Sequence, residues 1–524
     1  MLRVAGIFLP LLLFSILGFG QGILVRGKVT DNTGAPIPGA TVVVQGTTLG
    51  TITDPDGNFI LDRVNPDGTL VFSFVGLVSQ EVPVSGRTVI NVTMLSDVSE
   101  LEEVVVVGYG TQRREAVTGS VASMSGDDIR QIPSSNFTNS IQGRLPGVEL
   151  SQTSSRPDAT MQIRIRGTRS LTASNDPLVV LDGIPFVGSI NEINTNDIKS
   201  LDILKDASAT AVYGSRGANG VILITTNRGQ KGQKAKVTYN GNYGVNKIFA
   251  KYPMMNGPEL AAIRKIAQRY SNGPDEFDDV NIDWQDLFFR DGFQTSHDVT
   301  LAGGTTNGRY SFGVGNYQNQ GVIPTNKFNR LSLRASVDQE VGKHFLFGFT
   351  SNNNYNTTTG NQMGIYGILS MSPLANPYNE DGTMKRIVRM GADDQFVWTR
   401  DILEGYKDDY LSLNRGYATY NSIYGEVKIP WIEGLKFRTT VGLDFVQRNN
   451  GNYTGEGIGS TNPDTESTAS ISNYHTYHWN IDNLLTFDRI FAGKHRVNAV
   501  ALYSAEQSKG FNSGASAKVI PSPQ

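Results

Sequence analysis

The chain has 524 residues, a formal net charge of −3 and no cysteine. It exceeds one ordinary domain, carries no basic footprint for nucleic acid, and can build neither a disulfide framework nor a thiolate metal site. Its 57 glycines, 9% aromatic content and mean hydropathy of −0.24 fit a turn-rich β protein, not a helical membrane protein, which needs apolar segments of about 20 residues.

The one long apolar run opens the chain. Arg3 supplies a short positive segment, residues 4–19 an apolar core, and Gly18-Phe19-Gly20 a small-residue cleavage site before Gln21. This pattern predicts a secretory signal peptide over 1–20, with no cysteine behind it to carry a lipid. Residues 21–97 then alternate short apolar runs (24–29, 40–44, 58–61, 70–74 and 89–95) with turn residues such as Asn32-Thr33-Gly34, Pro38-Gly39 and Pro55-Asp56-Gly57. Short strands with turns every 8–12 residues or so predict a small β-sandwich. The run Asp54-Pro55-Asp56-Gly57-Asn58 lacks the sixth-position glycine and distal glutamate of a calcium loop, so it is read as turn chemistry.

Residues 101–110 read LEEVVVVGYG. Consecutive valines favour a strand, but their neighbours leave open whether its sheet is the sandwich, the next domain or another protein. Residues 111–230 are mixed α/β. Ser134 or Ser135 is expected to cap a short helix through Ile141, ended by Gly143 and Pro146-Gly147. Residues 161–166 alternate as a strand, 178–186 form a strand with a turn at Asp182-Gly183, Lys205-Asp206 start a helix closed by Gly214, and 220–226 form a buried strand.

From residue 231 a third pattern takes over. Val237, Tyr239, Tyr243 and Val245 lie opposite Lys236, Thr238, Asn240 and Asn242. Leu331, Leu333, Ala335 and Val337 lie opposite Arg330, Ser332, Arg334, Ser336 and Asp338. Leu435, Phe437, Val441, Leu443 and Phe445 lie opposite Lys436, Arg438, Thr440 and Asp444. Strict alternation over about ten residues is the pattern of a transmembrane β-barrel. Loop lengths add a second reason. Connections are short near 303–308, 341–344, 430–434 and 488–495 and longer near 249–293, 357–416 and 448–467, with a modest exception at 319–327. Outer-membrane barrels have short periplasmic turns and longer outer loops, a parity that a soluble sandwich lacks. About nine strands are expected, where a barrel enclosing an N-terminal domain needs about 22. The chain therefore reads as the N-terminal part of a longer protein.

Catalytic constellations are absent. His297, His344, His475, His478 and His495 begin no H-E-x-x-H or related motif, and His475 and His478 point to opposite faces of a strand. There is no G-x-S-x-G elbow, and GSRGANG at 214–220 lacks the lysine of a phosphate loop. No catalytic, cofactor or metal residue is predicted, and the chain is not expected to be an enzyme.

Gly27, Asp31, Gly34, Pro38-Gly39-Ala40, Gly46-Thr47, Thr53-Asp54 and Asp56-Gly57 resemble the carboxypeptidase regulatory-like domain. EEVVVVGYGTQRREAVTGSV, IQGRLPGVEL, IRIRGTRS, PLVVLDGIPF, NDIKSLDILKDASATAVYGSRGANGVILITT and RGQKG resemble the TonB box and plug of SusC/RagA-type TonB-dependent outer-membrane transporters. The resemblance implies a multi-domain, mainly β protein: a signal peptide at 1–20, a carboxypeptidase regulatory-like β-sandwich at 21–97, a TonB-box linker at 98–110, an α/β plug at 111–230 and a partial antiparallel β-barrel at 231–524. It places the barrel in the lipid of the outer membrane and the N-terminal domain and box in the periplasm. It implies import of a nutrient too large for porins, an oligosaccharide or a peptide, powered through TonB by the inner-membrane proton-motive force, with a SusD-like lipoprotein as lid. A siderophore receptor is the alternative within that class, and a secreted β-sandwich adhesin the alternative outside it. Glu103, Val104, Val105, Val106, Val107, Gly108 and Tyr109 are expected to form the handle that TonB grips by strand addition, with Gly108 and Gly110 releasing the chain from strand geometry. Arg164, Arg166 and Arg169 are expected to face the barrel wall and hold the plug by ion pairs.

Overall fold

The computed structural model describes residues 22–95 and 104–521, apart from 32–33, 75–76, 108–109, 114–119, 133, 135, 155, 269–270, 362 and 493–494. The expected signal peptide lies outside the described residues. No described helix is long and apolar enough to cross a membrane. The chain divides into two compact units, Met1–Val104 and Val105–Gln524.

The first unit is a β-sandwich. One sheet runs Asn58–Val64, Ile23–Thr30, Val92–Thr93, and the other runs Gly50–Ile52, Thr41–Val44, Thr69–Ser73, Gln80–Pro83. Alternation sends Val25 and Val29 inward and leaves Arg26 and Lys28 outside. Phe59 and Phe72 meet edge-on at 5.4 Å in the core. Two strands are absent from the sequence reading. Gly50–Ile52 has only three residues, and Gln80–Pro83 is an edge strand, the one place in a sheet that tolerates a proline. The Asp54 carboxylate accepts the backbone N–H of Asn58 at 2.7 Å and of Asp56 at 3.0 Å, the expected turn chemistry. These bonds, that of Asn58 foremost, hold it below the usual carboxylate range.

The second unit begins with the α/β domain. Its five-stranded sheet runs Val121–Ser125, Ile198–Leu204, Val221–Thr226, Leu178–Leu181, Ile184–Pro185. Ile129, Phe137 and Ile141 pack on this sheet against Ile198, Leu201 and Ile222. The helix Phe137–Ile141 is capped by Asn136 rather than Ser134: the Asn136 side chain accepts the Thr138 N–H at 3.1 Å. The helix from Ala207 does not end at Gly214. It passes into a 3-10 segment, Ala211–Asn219, and Gly214, with φ 58°, bends it.

Nine antiparallel strands follow, each paired with the next: Lys236–Asn246, Gly292–Gly304, Gly308–Gln320, Lys327–Val341, Phe345–Thr359, Tyr410–Lys428, Leu435–Thr454, Thr468–Phe491 and His495–Lys518. At one end the connections are tight: 305–307, 342–344, 429–434 and 492–494. At the other they are 247–291, 321–326, 360–409 and 455–467. The parity read from the sequence holds, with the same single exception. Burial in this sheet is inverted relative to a soluble protein. Leu331, Leu333 and Val337 are exposed, whereas Arg330, Ser332, Arg334, Ser336 and Asp338 between them are buried. An apolar outer face and a polar covered inner face are what a membrane wall around a polar filling requires.

The two longest connections fold together. Trp284 and Phe288 from the first pack with Ile368, Met371, Val388 and Leu403 from the second, and the Trp284 indole N–H donates to the Ser372 carbonyl at 2.8 Å. Glu276 ties them at one edge. Its carboxylate accepts from Arg264 at 2.8 Å, from the Gly273 N–H at 2.8 Å and from the Gly391 N–H at 2.7 Å. Burial pushes this group up, but the bonds to its ionised form outweigh that and hold its pKa at about 2. Because the folded value lies below the unfolded one, its stabilisation is present above about pH 4.5 and is lost as the pH falls toward 2. Glu276→Gln should therefore destabilise the joined loops by about 2 kcal/mol at pH 7. The gap between variant and parent should close on acidification to about pH 2, with hydrogen exchange of the Trp284 indole as the measurement.

Candidate functional site

The valine run forms a strand, Val104–Val107, and pairs with Gly110–Arg113 in a two-stranded sheet of their own. It belongs to neither sandwich sheet nor to the five-stranded sheet downstream. Gly110 is part of the second strand and does not release the chain from strand geometry as expected. Glu103, Gly108 and Tyr109 lie outside the described residues. The first element after this hairpin that joins the α/β domain is Val121–Ser125. It is an edge strand, paired only to Ile198–Leu204, from Val121↔Leu204 to Ser125↔Ser200.

The α/β domain meets the inner face of the wall through residues 186–197 and 226–228. A pair of tight 3-10 turns, Ile190–Glu192 and Thr195–Asp197, presents main-chain carbonyls and short polar side chains there. Glu192 closes a capping box with Ser189, and its carboxylate also accepts from the Tyr420 hydroxyl and from Arg448 at 3.2 Å. Asn194 and Asn196 each donate to Asp298 at 2.6 Å, one to each carboxylate oxygen. Arg330, buried in the wall, donates to the Asn191 carbonyl at 2.6 Å. Arg334 donates to the Thr226 hydroxyl. Arg228 reaches Asp338 at 3.1 Å and lies 3.9 Å from Asp182, which itself accepts the Thr226 N–H at 3.0 Å. Asp197 faces the same wall. Burial pushes its carboxyl up, opposed by the Arg334 and Arg330 cations.

Two glycines permit this approach. A Cβ on Gly188 would lie under 3.0 Å from the Tyr420 hydroxyl and the Glu192 carboxylate, and one on Gly315 would lie under 3.0 Å from Asp298 and Asn194. One apolar contact completes the interface. The Phe186 ring lies 4.6 Å from that of Tyr420 and packs on Ala418 and Val446.

Arg164, Arg166 and Arg169 do not hold this interface through their own hydrogen bonds. Arg164 pairs with Asp176 at 2.6 Å, Arg166 with Asp206, and Arg169 donates to the Ala218 carbonyl. All these partners lie inside the α/β domain. The alternation that suggested a wall-facing row ends at Ile165, and Arg166, with φ 57°, already turns the chain away. The Arg164 hydrogen bond holds Asp176 below the usual carboxylate range. Polarity at the interface runs the other way from the expectation: the wall supplies most of the arginines and the inner domain most of the acceptors.

Toward the long-loop end, a cleft of about 900 Å³ opens between the two layers. Arg156, Pro157 and Met161 form its floor, and Phe249, Tyr252 and Tyr317 line its side. Arg156 also donates to the Gly360 carbonyl at 3.1 Å, which fixes the floor to the start of a long loop.

Comparison with known proteins accounts for this arrangement. Residues 25–106 match the model of the CarboxypepD_reg-like domain, and residues 113–221 match that of the TonB-dependent Receptor Plug Domain. The chain is 38% identical over 396 residues to the TonB-dependent receptor SusC of Bacteroides thetaiotaomicron, an alignment covering 73% of this chain and 38% of that one. The chain belongs to the SusC/RagA-type TonB-dependent receptors. It is also 34% identical to the TonB-dependent receptor P26 of Formosa agariphila, over 91% of this chain and 48% of that one. Its fold superposes on the RagAB peptide importer in the open-open state with a TM-score of 0.70 at 24% identity, covering 79% of this chain and 50% of that one. The chain spans half or less of the length of these relatives. Receptors of this family are outer-membrane β-barrels. The α/β domain is accordingly the plug and the nine-stranded sheet part of the barrel wall.

The plug residues on the wall, Asn191, Glu192, Asn194, Asn196 and Arg228, are absent from the sequence reading. Residues 189–197, SINEINTND, are a polar run between two buried strands, and that position was the available clue. Arg330→Met should leave the Asn191 carbonyl unpaired and loosen the plug by about 3 kcal/mol, the cost of breaking one side of a buried charged contact. Cells carrying the full-length receptor with this change should admit a large glycopeptide antibiotic more readily. Arg164→Gln should leave that permeability unchanged while lowering the stability of the plug itself.

Proposed function

We propose that this receptor imports a nutrient too large for porins, an oligosaccharide or a peptide, by TonB-driven displacement of its plug. The observation that carries the reading is a plug latched by polar contacts to a membrane wall, with a strand of its own immediately ahead of the plug's edge. Glu103 to Tyr109, centred on Val104–Val107, is the handle. Its valines favour an extended chain, and strand addition grips the main chain largely without regard to side chains. Several such hydrogen bonds, each worth about 0.5–1.5 kcal/mol net, act together under load.

Load entering at the handle meets the edge strand Val121–Ser125 first. That strand is held by one neighbour, with the Ser123 hydroxyl on Asp202 at 2.5 Å and the Ser120 N–H on Asp206 at 2.6 Å. The wall latch at 186–197 and Arg228 lies further along the chain. Stripping the edge while the latch holds would open a passage beside the plug. The cleft above the plug floor is the receiving chamber, and a SusD-like lipoprotein over the long loops is the lid. The SusC relative and the RagAB peptide importer support nutrient import over the siderophore alternative.

The C-terminal domain of TonB should capture the full-length receptor from detergent-solubilised outer membrane. Deletion of 101–110 should abolish capture. Val105→Pro, which removes a main-chain donor and fixes φ, should weaken it about tenfold, one to two lost hydrogen bonds' worth. Capture that survives the deletion places the handle elsewhere. Growth on the imported nutrient should fall in the same variants, while growth under iron limitation should not.

A further inference from the structure

Asp206 stands just ahead of the short helix Ala207–Thr210, the position from which an Asp side chain ordinarily accepts a first-turn N–H. It makes no such bond. One of its oxygens accepts the Ser120 N–H at 2.6 Å, and the other accepts from Arg166. These partners belong to different parts of the plug. Ser120 immediately precedes the edge strand Val121–Ser125. Arg166 immediately follows Met161–Ile165, which pairs with Val148–Gln152 in a two-stranded sheet of its own. Lys205 holds the other side of that hairpin's base. Its buried ammonium donates to the Pro146 carbonyl at 2.7 Å, and the next carbonyl, that of Gly147, accepts the Arg166 N–H at 3.1 Å. Lys205 also donates its backbone N–H to the Ser120 carbonyl at 3.3 Å, but that rung belongs to the ladder and opens with the edge strand. The Asp206 carboxylate is outside the ladder.

The hairpin carries the chain from this base to a tip at 153–160, a strand length of about 17 Å. Gln152, Arg156, Pro157, Ala159 and Met161, at and beside the tip, line the cleft. Arg156 on the Gly360 carbonyl and Asn191 on the Asp158 carbonyl fix the tip in place. The strands are already extended and paired, so the hairpin has little stretch to give, and load on its base is felt at its tip. It shares no strand pairing with the five-stranded sheet. Ile163 and Ile165 join the plug's apolar core, but apolar burial is non-directional, whereas the bonds to the Asp206 carboxylate are charge-assisted and directed. We propose that Asp206 passes the pull from the handle to the floor of the cleft, so that the first yielding of the edge strand also draws on the hairpin 148–165. The inference rests on the reading of 103–109 as the handle, and it makes Asp206 a positioning residue for transport.

The test is labelling of the full-length receptor in whole cells with N-ethylmaleimide, with and without an uncoupler of the proton-motive force. Gln152→Cys reports the cleft floor and Ser123→Cys the edge strand, with the parent receptor as the blank. Energised cells should label both sites faster than uncoupled cells, at 152 by about fivefold, the change that one net hydrogen bond makes to a local opening. Adding Asp206→Ala should bring the ratio at 152 to unity and leave the ratio at 123 above it, with capture by TonB intact. Asp206→Asn, which keeps an acceptor for the Ser120 N–H, should retain part of the response at 152. If Asp206→Ala assembles poorly, Ser120→Pro removes the donor instead and should have the same effect. A response at 152 that survives loss of the Asp206 carboxylate, a response at 123 with none at 152 before that change, or loss of both responses together in Asp206→Ala would each overturn the inference. No response at 123 with Asp206 in place would overturn the handle reading itself, and this inference with it.

Discussion

Everything in the larger unit depends on the polar inner face of the wall having something polar to meet. Arg330, Ser332, Arg334, Ser336 and Asp338 alternate along one strand and are all buried. Buried and unpaired, such groups cost several kcal/mol each. The plug supplies partners for Arg330, Ser332, Arg334 and Asp338, from its 3-10 turns and from the end of one strand. The 3-10 turns at 190–197 expose carbonyls that a strand would commit to its neighbours, and these are what Arg330 takes. Gly188 and Gly315 follow from the same demand, because the plug must come close enough for a carboxylate to serve two strands at once.

The latch and the edge strand divide the plug mechanically. Glu192 joins Ser189 of its own turn to Tyr420 and Arg448 on neighbouring wall strands, and Asn194 and Asn196 hold both oxygens of Asp298. Val121–Ser125 has hydrogen bonds on one side only. A pull from the N-terminal side would therefore load an edge strand of the plug before it loaded the latch. The connectivity of the chain, with the latch late and the edge strand early, sets that order.

Much of the architecture is legible from the sequence because alternation is a local property. Leu331 to Asp338 declares two faces whatever the strand packs on, and loop lengths then say which end of the strands is which. The number of wall strands follows from the same two counts. What alternation does not reveal is which carboxylate an arginine reaches. Arg164, Arg166 and Arg169 look like an interface row, yet Asp176, Asp206 and the Ala218 carbonyl are brought to them by a fold that the local pattern does not encode. The latch fails to stand out for the opposite reason. Asn191, Glu192, Asn194 and Asn196 have the composition of an ordinary loop, and only their position against the wall gives them a role. The helix cap shifts from Ser134 to Asn136 within the usual uncertainty of helix ends.

The chemistry of the latch suits a gate better than a lock. Had the plug met the wall through apolar side chains, opening would expose that surface to water at about 25 cal/mol per Å². A polar interface exchanges each internal hydrogen bond for one to water, at a net cost of only about 0.5–1.5 kcal/mol. The groups that such a change would uncover are Asn, Ser, Asp and Arg side chains, which water can solvate. Phe186 on Tyr420 is the main apolar exception, and it is small. An interface that is firm in number and cheap in each bond can yield to a pull along the chain and re-form when the pull ends.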